Sequence, residues 1–186
     1  MGLLIASDLH GSTSRAAQLM EEIEKTAPEA VIFLGDLLYH GPRNPLPEKY
    51  APAEVAKLLE GIGRPVLAIR GNCDSEVDQL ILPFHLAESA WILSGPRPIL
   101  AVHGHQLPEN GGNMKAPQGA PSGVVILFGH THRPIAEKRG DNHYWNPGSV
   151  SLPKDDLPAS YGFYENGRFE VRSFEGRVLA ADEIVK

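Results

Sequence analysis

Five short apolar runs in this sequence are each followed by aspartate, asparagine or histidine, the side chains that bind metal ions and move protons. One of them, the run 31–34, leads through Gly35 into Asp36. The other four lead into Asp8 and His10, into Asn72, into His103 and His105, and into His130 and His132. Apolar and β-branched runs of this length predict buried strands. Because ligands bind outside the carboxyl ends of the strands in open α/β sheets, we expect one shared site centred on Asp36.

The chemistry of these donors indicates a metal centre. Their oxygen and nitrogen atoms, with no thiolate among them, suit Mn, Fe, Mg, Ni or Zn in open coordination better than a structural zinc site. They exceed the needs of one tetrahedral ion, whereas two ions about 3.5–4 Å apart that share a carboxylate would use them all. The predicted metal ligands are Asp8, His10, Asp36, Asn72, His103, His130 and His132.

The first part of the chain has the pattern of alternating strands and helices. We predict a helix that begins at the possible caps Ser12–Ser14 and closes at Pro28, and a second helix that begins at Pro52. A short helix is expected over Ser75–Leu82. A βαβαβ order implies right-handed crossovers and a parallel sheet. This half of the chain should therefore align the first three strand ends.

The remainder of the chain is rich in short strands, and Asn166-Gly167 is the strongest hairpin signal. It predicts a second, more antiparallel sheet packed on the first, within a single domain over residues 1–186. The segment Leu107–Ser122, rich in Gly, Pro and Asn, is expected to be a flexible loop beside the site. The predicted strands are Trp91–Leu93, Ile99–Val102, Val124–Phe128, Ile135–Arg139, His143–Trp145, Tyr161–Glu165, Arg168–Phe174 and Arg177–Val185.

Composition excludes several classes of function. A net charge of −6 argues against a stable nucleic-acid complex or binding to an anionic membrane, since both need a basic face. The single cysteine, Cys73, permits no intramolecular disulfide, and we expect no signal peptide because the apolar N-terminal run stops at Asp8. No stretch approaches the roughly 20 apolar residues of a membrane span. We expect a cytoplasmic protein, and an exposed strand edge would allow a homo-oligomer.

Five ordered motifs, spread over nearly the whole chain, resemble those of the calcineurin-like metallophosphoesterase superfamily. The segment 146–149, Asn-Pro-Gly-Ser, is similar to its small prokaryotic branch. The resemblance implies an α/β (α+β) fold, a four-layer α-β-β-α sandwich of two mixed β-sheets flanked by helices, with metals at one edge between the sheets. The motifs are Asp8-x-His10, Gly35-Asp36, Gly71-Asn72-x-Asp74, His103-Gly104-His105 and Gly129-His130-x-His132.

The resemblance also assigns the donors to two divalent ions bridged by Asp36. One ion would be held by Asp8, His10, Asp36 and His132, and the other by Asp36, Asn72, His103 and His130. Mn²⁺ is the expected metal, while Fe, Zn, Ni and Mg remain open.

The activity that the resemblance implies is metal-dependent hydrolysis of small phosphodiesters, nucleotide-derived ones included, by attack of a metal-bridging hydroxide. A phosphomonoesterase on the same site is the first alternative. A non-catalytic metal-binding scaffold, resembling the retromer subunit of this fold, is the second. Scaffold members typically lack metal ligands, whereas every motif ligand is present here. A single-stranded nuclease is disfavoured because no stripe of Lys and Arg is present.

The proton donor for the leaving group is open in this sequence. Many relatives place a histidine directly after the asparagine of the third motif, and here that residue is Cys73, which is also the kind of residue that fills a small apolar space. His105, His40 or a metal-bound water would be substitutes, and Asp74 would orient a ligand or cap a helix. In the loop after Asp36, we expect the substrate to contact His40, Arg43 and Asn44. The candidate catalytic residues are Asp36, Asn72, Cys73, Asp74 and His105.

Overall fold

The computed structural model describes residues 2–93, 95–110 and 113–184, in fourteen strands and two α-helices. The helices are α1 (Thr13–Thr26) and α2 (Pro52–Leu59), and a 3-10 helix covers Glu76–Leu80. The strands are β1 (Gly2–Ala6), β2 (Ala30–Phe33), β3 (Val66–Ile69), β4 (Leu86–Ala87), β5 (Ala90–Ile92), β6 (Ile99–Ala101), β7 (Glu109–Asn110), β8 (Asn113–Met114), β9 (Val125–Leu127), β10 (Pro134–Arg139), β11 (Asn142–Pro147), β12 (Ser160–Glu165), β13 (Arg168–Ser173) and β14 (Val178–Glu183).

The first sheet has seven strands in the order β14-β13-β12-β1-β2-β3-β4. Strands β1 to β4 are parallel, and the alternating pattern predicts this arrangement for β1 to β3. Strands β12 to β14 extend the same sheet antiparallel to β1, with Leu4 opposite Phe163. The assignment of the C-terminal strands to the second sheet is therefore wrong. The hairpin at Asn166-Gly167 specifies how β12 and β13 pair with each other, but not which sheet they join. Val185, the predicted end of the last strand, lies outside the described residues.

The second sheet has five strands in the order β10-β11-β9-β6-β5. Its three central strands are parallel, and only the edge strands β5 and β10 run antiparallel to their neighbours. Half of the neighbouring strand pairs are antiparallel in each sheet, so the expectation that the second sheet is the more antiparallel one is also wrong, whereas the prediction of two mixed sheets is confirmed. Because β6 and β9 are parallel, His103 and His130 emerge at the same edge of the sheet.

The two helices cover the outer face of the first sheet. Ser12 caps α1 by accepting a hydrogen bond from the backbone N–H of Arg15, and Pro52 occupies the first turn of α2. Leu19 and Ile23 of α1 and Val55 of α2 are fully buried against the apolar face of β1 and β2. Within the described part of the chain, no helix is both long and apolar enough to cross a bilayer.

A second apolar layer fills the space between the two sheets. Alternate residues of β1 and β2 face inward here, and they meet Ile99, Val125 and Leu127 of the second sheet. The indole of Trp145 stacks on Phe169, with ring centroids 4.7 Å apart. These contacts fix the two sheets relative to each other and so align the loops at their shared edge.

The segment predicted as a flexible loop covers the outer face of the second sheet. It contains the short hairpin β7–β8, and Met114 is buried there against Leu100, Ile126 and Tyr144. Gly111 and Gly112, which the prediction included, lie outside the described residues. Among the described residues this layer contains no helix, so the two α-helices flank only the first sheet.

Candidate metal centre

The loops after five strands converge at one edge of the two sheets. The loop after β1 hydrogen-bonds to the loop after β2, where the N–H of His10 donates to the carbonyl of Asp36 at 2.9 Å. In the second sheet the N–H of Gly129 donates to the carbonyl of His103 at 2.8 Å. The two sheets are joined by Asp8, whose Oδ2 accepts from the N–H of His130 at 3.1 Å. The fold therefore brings the predicted donors into one cluster.

Five of the seven predicted ligands have left-handed backbone conformations. Their φ angles lie between 49° and 65°, a region in which residues other than glycine are uncommon. Such strain costs on the order of 1–3 kcal/mol per residue and persists only where surrounding contacts over-determine the backbone. Here those contacts are the backbone hydrogen bonds between loops. The five residues are Asp8, His10, Asp36, His130 and His132.

Glycines at this edge allow the loops to approach closely. A Cβ on Gly71 would lie 2.1 Å from Oδ1 of Asp36, and one on Gly129 would lie 1.9 Å from Oγ of Ser7. Any larger residue at either position would displace a carboxylate or its hydrogen-bond partner. These two glycines are therefore part of how the site is assembled.

Three buried histidines direct the same nitrogen towards the carboxylates. The Nδ1 atoms of His10, His103 and His132 contact the carbonyl oxygens of Tyr39, Leu34 and Leu152, at 2.8, 2.6 and 2.6 Å. Because a carbonyl only accepts, each Nδ1 carries the hydrogen. Nε2 is then the atom that binds a cation or a proton, and outer hydrogen bonds of this kind orient metal-binding histidines.

Asp8 has a buried oxygen that no described protein group satisfies. Its Oδ2 accepts from Oγ of Ser7 at 2.6 Å, whereas Oδ1 has no hydrogen-bond partner in the described part of the chain. That oxygen lies 3.3 Å from Nε2 of His132 and 3.8 Å from Nε2 of His10. An unsatisfied carboxylate oxygen facing two imidazole nitrogens is the arrangement that a divalent cation completes.

Asp36 lies between the two groups of histidines. Its Oδ2 is 3.7 Å from Nε2 of His10, and its Oδ1 is 3.5 Å from Nε2 of His103. Burial alone would raise the pKa of Asp36, but the hydrogen bonds from His103 and from the N–H of Cys73 hold it below its usual range. An ionised carboxylate with one oxygen directed towards each group of histidines can bridge two cations.

His103 shows how the carboxylates attract positive charge. Burial acts against protonation, but the carboxylates of Asp36 and Asp8 raise the pKa of His103 to about 9. A proton on Nε2 thus takes the place of a cation, and metal binding would release it.

The two remaining predicted ligands lie beside His103. Oδ1 of the exposed Asn72 lies 3.1 Å from Nε2 of His103. The half-buried His130 ring is 5.2 Å from that of His103, and burial together with the His103 charge lowers the pKa of His130 to about 4.

Asp74 faces the backbone instead of the cavity. Its Oδ2 accepts from the N–H groups of Asp36 and Gly71, at 2.8 and 2.7 Å, and its Oδ1 accepts from Leu37 at 2.8 Å. Burial raises the pKa of Asp74, although the three N–H groups oppose this effect. The residue therefore positions the backbone around Asp36 without itself lining the cavity.

A cavity of about 330 Å³ opens onto the cluster. Its walls include Asp36, Asn72, Cys73, His130 and His132, so it gives access to both proposed groups of ligands. The loop 41–44 forms another wall and contributes the expected substrate contacts Arg43 and Asn44. Charged and polar side chains make up most of the residues that line this cavity, which suits a small anionic substrate.

Two residues expected near the reacting group are placed beside this cavity. The His40 ring is 5.3 Å from that of Tyr50, and the residue meets the 41–44 loop through its carbonyl, which accepts from Nδ2 of Asn44 at 2.8 Å. The exposed His105 lines a neighbouring cavity of about 260 Å³ together with His103. Neither side chain lines the 330 Å³ cavity.

Cys73 lies within the cluster. Its sulfur and ligand atoms of His10 and Asp36 lie within 4.8 Å of one another. Burial and the charge of Asp36 raise the pKa of the Cys73 thiol to about 12. In the absence of a cation the side chain is therefore a neutral thiol, which argues against a nucleophilic role.

Sequence reasoning missed several supporting residues. The side chains of Ser149 and Ser151 donate to the carbonyl of Asp8, and Nδ2 of Asn146 donates to the carbonyl of Gly129. The segment 146–149 is recognisable in the sequence by its resemblance to the prokaryotic branch, but that resemblance assigns the segment no role in the site. Lys154 lines the cavity and had no signal at all.

Known proteins resemble this chain over almost its full length. Phosphodiesterase YfcE of Escherichia coli (strain K12) is 40% identical over 186 residues, which cover 97% of this chain and 96% of YfcE. The solved structure of Yfce, a phosphoesterase from E. coli, superposes with a TM-score of 0.89 at 40% identity, over 97% of this chain and 98% of that one. Probable metallophosphoesterase YsnB of Bacillus subtilis (strain 168) is 27% identical over 194 residues, covering 96% and 99% of the two chains.

More distant structures share the fold alone. Vps29 of Entamoeba histolytica, solved in complex with Zn²⁺, has a TM-score of 0.62 at 21% identity, over 99% of this chain and 98% of that one.

The sequence of residues 1–167 matches the family model of the calcineurin-like phosphoesterase superfamily domain. The clustered aspartates and histidines fit the divalent metal ions that this family implies. The chain therefore belongs to the calcineurin-like phosphoesterase superfamily.

Proposed function

We propose that this protein is a phosphodiesterase that hydrolyses small phosphodiesters at a centre of two divalent metal ions, with Mn²⁺ as the working metal. The observation that carries the proposal is the orientation of the three buried histidines. Each donates Nδ1–H to a carbonyl and directs Nε2 towards Asp8 or Asp36, next to a cavity of about 330 Å³. The 40% identity to YfcE supports the choice of diester hydrolysis.

The donors divide into two groups around Asp36. Asp8, His10 and His132 form one compact group, and Asp36, Asn72, His103 and His130 supply the other. Divalent ions held there would supply activation of water at neutral pH and neutralisation of the phosphoryl oxygens. We assign Asp36 to both ions because its two oxygens face opposite groups of histidines.

The remaining residues hold the substrate and the scaffold. Arg43 and Asn44 line the cavity from the loop after β2 and are placed to donate hydrogen bonds to a substrate oxygen. Asp74 keeps Asp36 in its left-handed conformation by binding three N–H groups around it. The presence of the complete donor set supports an enzyme over a non-catalytic scaffold.

Metal removal and reloading is the direct test of this proposal. Metal-stripped protein reloaded with Mn²⁺ should turn over bis-p-nitrophenyl phosphate faster than p-nitrophenyl phosphate, and the stripped protein should turn over neither. At Mn²⁺ a hundredfold above its dissociation constant, we expect melting to rise by roughly 5–10 °C, because metal binds only the folded site. Calorimetry measures the melting temperature, and the absorbance of p-nitrophenolate at about 400 nm measures turnover.

The outcomes separate the alternatives. A preference for the monoester would replace the proposal with a phosphomonoesterase. Two bound metal ions without hydrolysis of either ester would leave a metal-binding scaffold.

Replacing Cys73 with alanine tests whether the thiol protonates the leaving group. We expect Cys73→Ala to keep turnover of p-nitrophenyl diesters within about tenfold of wild type, whereas loss of a general acid costs roughly 10²–10⁴-fold when the leaving group needs a proton. The measurement compares the turnover of methyl p-nitrophenyl phosphate with the turnover of a dialkyl phosphate. The p-nitrophenolate leaving group departs without a proton, whereas the alkoxide of the dialkyl phosphate needs one. A selective loss of at least a hundredfold or so on the dialkyl ester would assign the proton donor to Cys73.

A further inference from the structure

Lys154 is a half-buried cation at the wall of the cavity. Its ammonium group forms no ion pair or hydrogen bond in the described part of the chain, although it lines the same cavity as His132 and Asp36. Its backbone N–H donates to the carbonyl of His132 at 3.4 Å. The backbone therefore ties this cation to a proposed metal ligand.

The acidic neighbour of Lys154 in the sequence forms its ion pair with another residue. The carboxylate of Asp155 forms a two-point ion pair with the guanidinium of Arg133. Asp155 and Asp156 both have left-handed backbone, with φ of 59° and 55°, and the N–H of Leu157 donates to the carbonyl of Lys154. This tight turn holds Lys154 at the cavity while its acidic neighbour is occupied elsewhere.

A second unpaired cation, Arg43, lines the cavity from the loop after β2. That loop is fixed against the site. A Cβ on Gly41 would lie 3.0 Å from the sulfur of Cys73, and Asn44 is held by the carbonyl of His40. Arg43 itself is exposed and makes no ion pair with a described residue. Two cations from separate loops thus share one cavity with the metal ligands.

The lining of this cavity favours a charged group over an aromatic one. Its described wall contains no Phe, Tyr or Trp ring to serve as a stacking platform for a nucleobase. Arginine and lysine, in contrast, are the side chains that bind phosphate.

We propose that Arg43 and Lys154 form a second phosphate-binding subsite, which selects phosphodiesters that carry an additional phosphate on one ester arm. This inference rests on the proposed phosphodiesterase function and specifies its substrate class. The reacting phosphoryl group occupies the side of the cavity formed by the strand-end donors, and the additional phosphate lies between the two cations.

A matched pair of substrates tests the subsite. One is the p-nitrophenyl ester of thymidine 5′-phosphate, and the other carries a further phosphate on the 3′-oxygen. Both release p-nitrophenolate, so they differ only in the remote charge. For the Mn²⁺-loaded wild type we expect kcat/KM to be about tenfold higher for the 3′-phosphorylated ester, the factor for one charge-assisted hydrogen bond. The preference should fall as salt is added.

Substitutions then assign the preference to the two cations. Arg43→Ala and Lys154→Ala should each bring the ratio of the two kcat/KM values close to one, because kcat/KM should fall more for the 3′-phosphorylated ester than for the ester without the additional phosphate. The matched controls are Arg64→Ala and Lys138→Ala, two exposed cations that do not line the cavity and should retain the full ratio. Neither Arg43 nor Lys154 is in the apolar core, so melting temperatures should be unchanged.

Three results would overturn the subsite. Equal wild-type kcat/KM values for both esters would do so while leaving the phosphodiesterase function intact. An equal loss on both esters in the variants would place the two cations on the reacting phosphoryl group instead. If neither ester is hydrolysed, the proposed function fails, and calorimetric titration decides the subsite. In that case, equal affinities for thymidine 3′,5′-bisphosphate and thymidine 5′-monophosphate would contradict it.

Discussion

Replacing Asp36 with asparagine is expected to abolish metal loading and turnover together. The amide keeps the shape of the side chain and one acceptor for the N–H of Cys73, but it removes the negative charge between His10 and His103. Loss of a group that merely supports a metal ligand lowers affinity or activity by about 10–100-fold, and a bridging ligand should cost more. Metal content by mass spectrometry and Mn²⁺-dependent diester hydrolysis are the measurements.

The matched control for this substitution is Asp141→Asn. Asp141 is an exposed residue of the turn between β10 and β11, where its carboxylate accepts from Ser122. We expect it to retain metal and activity in full. Because asparagine keeps the side-chain shape and an acceptor for the N–H of Cys73, the metal-free variant should remain folded, with some stability lost along with the partner of His103. Wild-type turnover in a folded Asp36→Asn protein would contradict the assignment of Asp36 as a bridging ligand.

The second large effect is expected for Asp74→Asn. The carboxylate satisfies three buried N–H groups, and an amide offers one oxygen in place of two while directing its own N–H groups at the others. Each unsatisfied donor costs about 1–3 kcal/mol, so we expect the free energy of unfolding to fall by roughly 2–4 kcal/mol. Since Asp36 and Gly71 lose their positions, metal affinity should fall by about 10–100-fold.

A control with a similar structural cost separates positioning from stability. Asp182 accepts from Nδ1 of His143 and Nε1 of Trp145, at 2.5 and 2.8 Å, between the two sheets and outside the metal cluster. Asp182→Asn should therefore lower stability but leave Mn²⁺ affinity unchanged. Urea unfolding and calorimetric titration of both variants test this contrast. An unchanged Mn²⁺ affinity in Asp74→Asn would show that the residue serves the fold alone.

The sequence predicted most of the local structure because its signals are local. Ser12 and Pro52 sit where the helix starts were expected, and the turn at Asn166-Gly167 joins β12 to β13 as predicted. Capping and turn formation depend on a few neighbouring residues, whose side chains are read directly from the chain. The short strand β4 was missed because two residues give no periodic pattern.

The clustering of the proposed metal donors was also predictable from the sequence. A polar residue directly after a buried strand is placed at the sheet edge whichever neighbour the strand pairs with. For this reason the grouping of Asp8, Asp36 and His103 followed from strand ends, even though the predicted composition of the sheets was partly wrong.

Only the tertiary structure decided how those donors are held. It placed β12 beside β1, with β13 and β14 next in the same sheet, because pairing between distant strands depends on how the whole core packs. It imposed left-handed backbone on Asp8 and Asp36, a strain that hydrogen bonds between separate loops maintain. It also brought Lys154 into the cavity, since a turn far along the chain folds back against His132. The sequence by itself thus determined which atoms are available for the chemistry, whereas long-range packing determined their orientation and the charges that face the substrate.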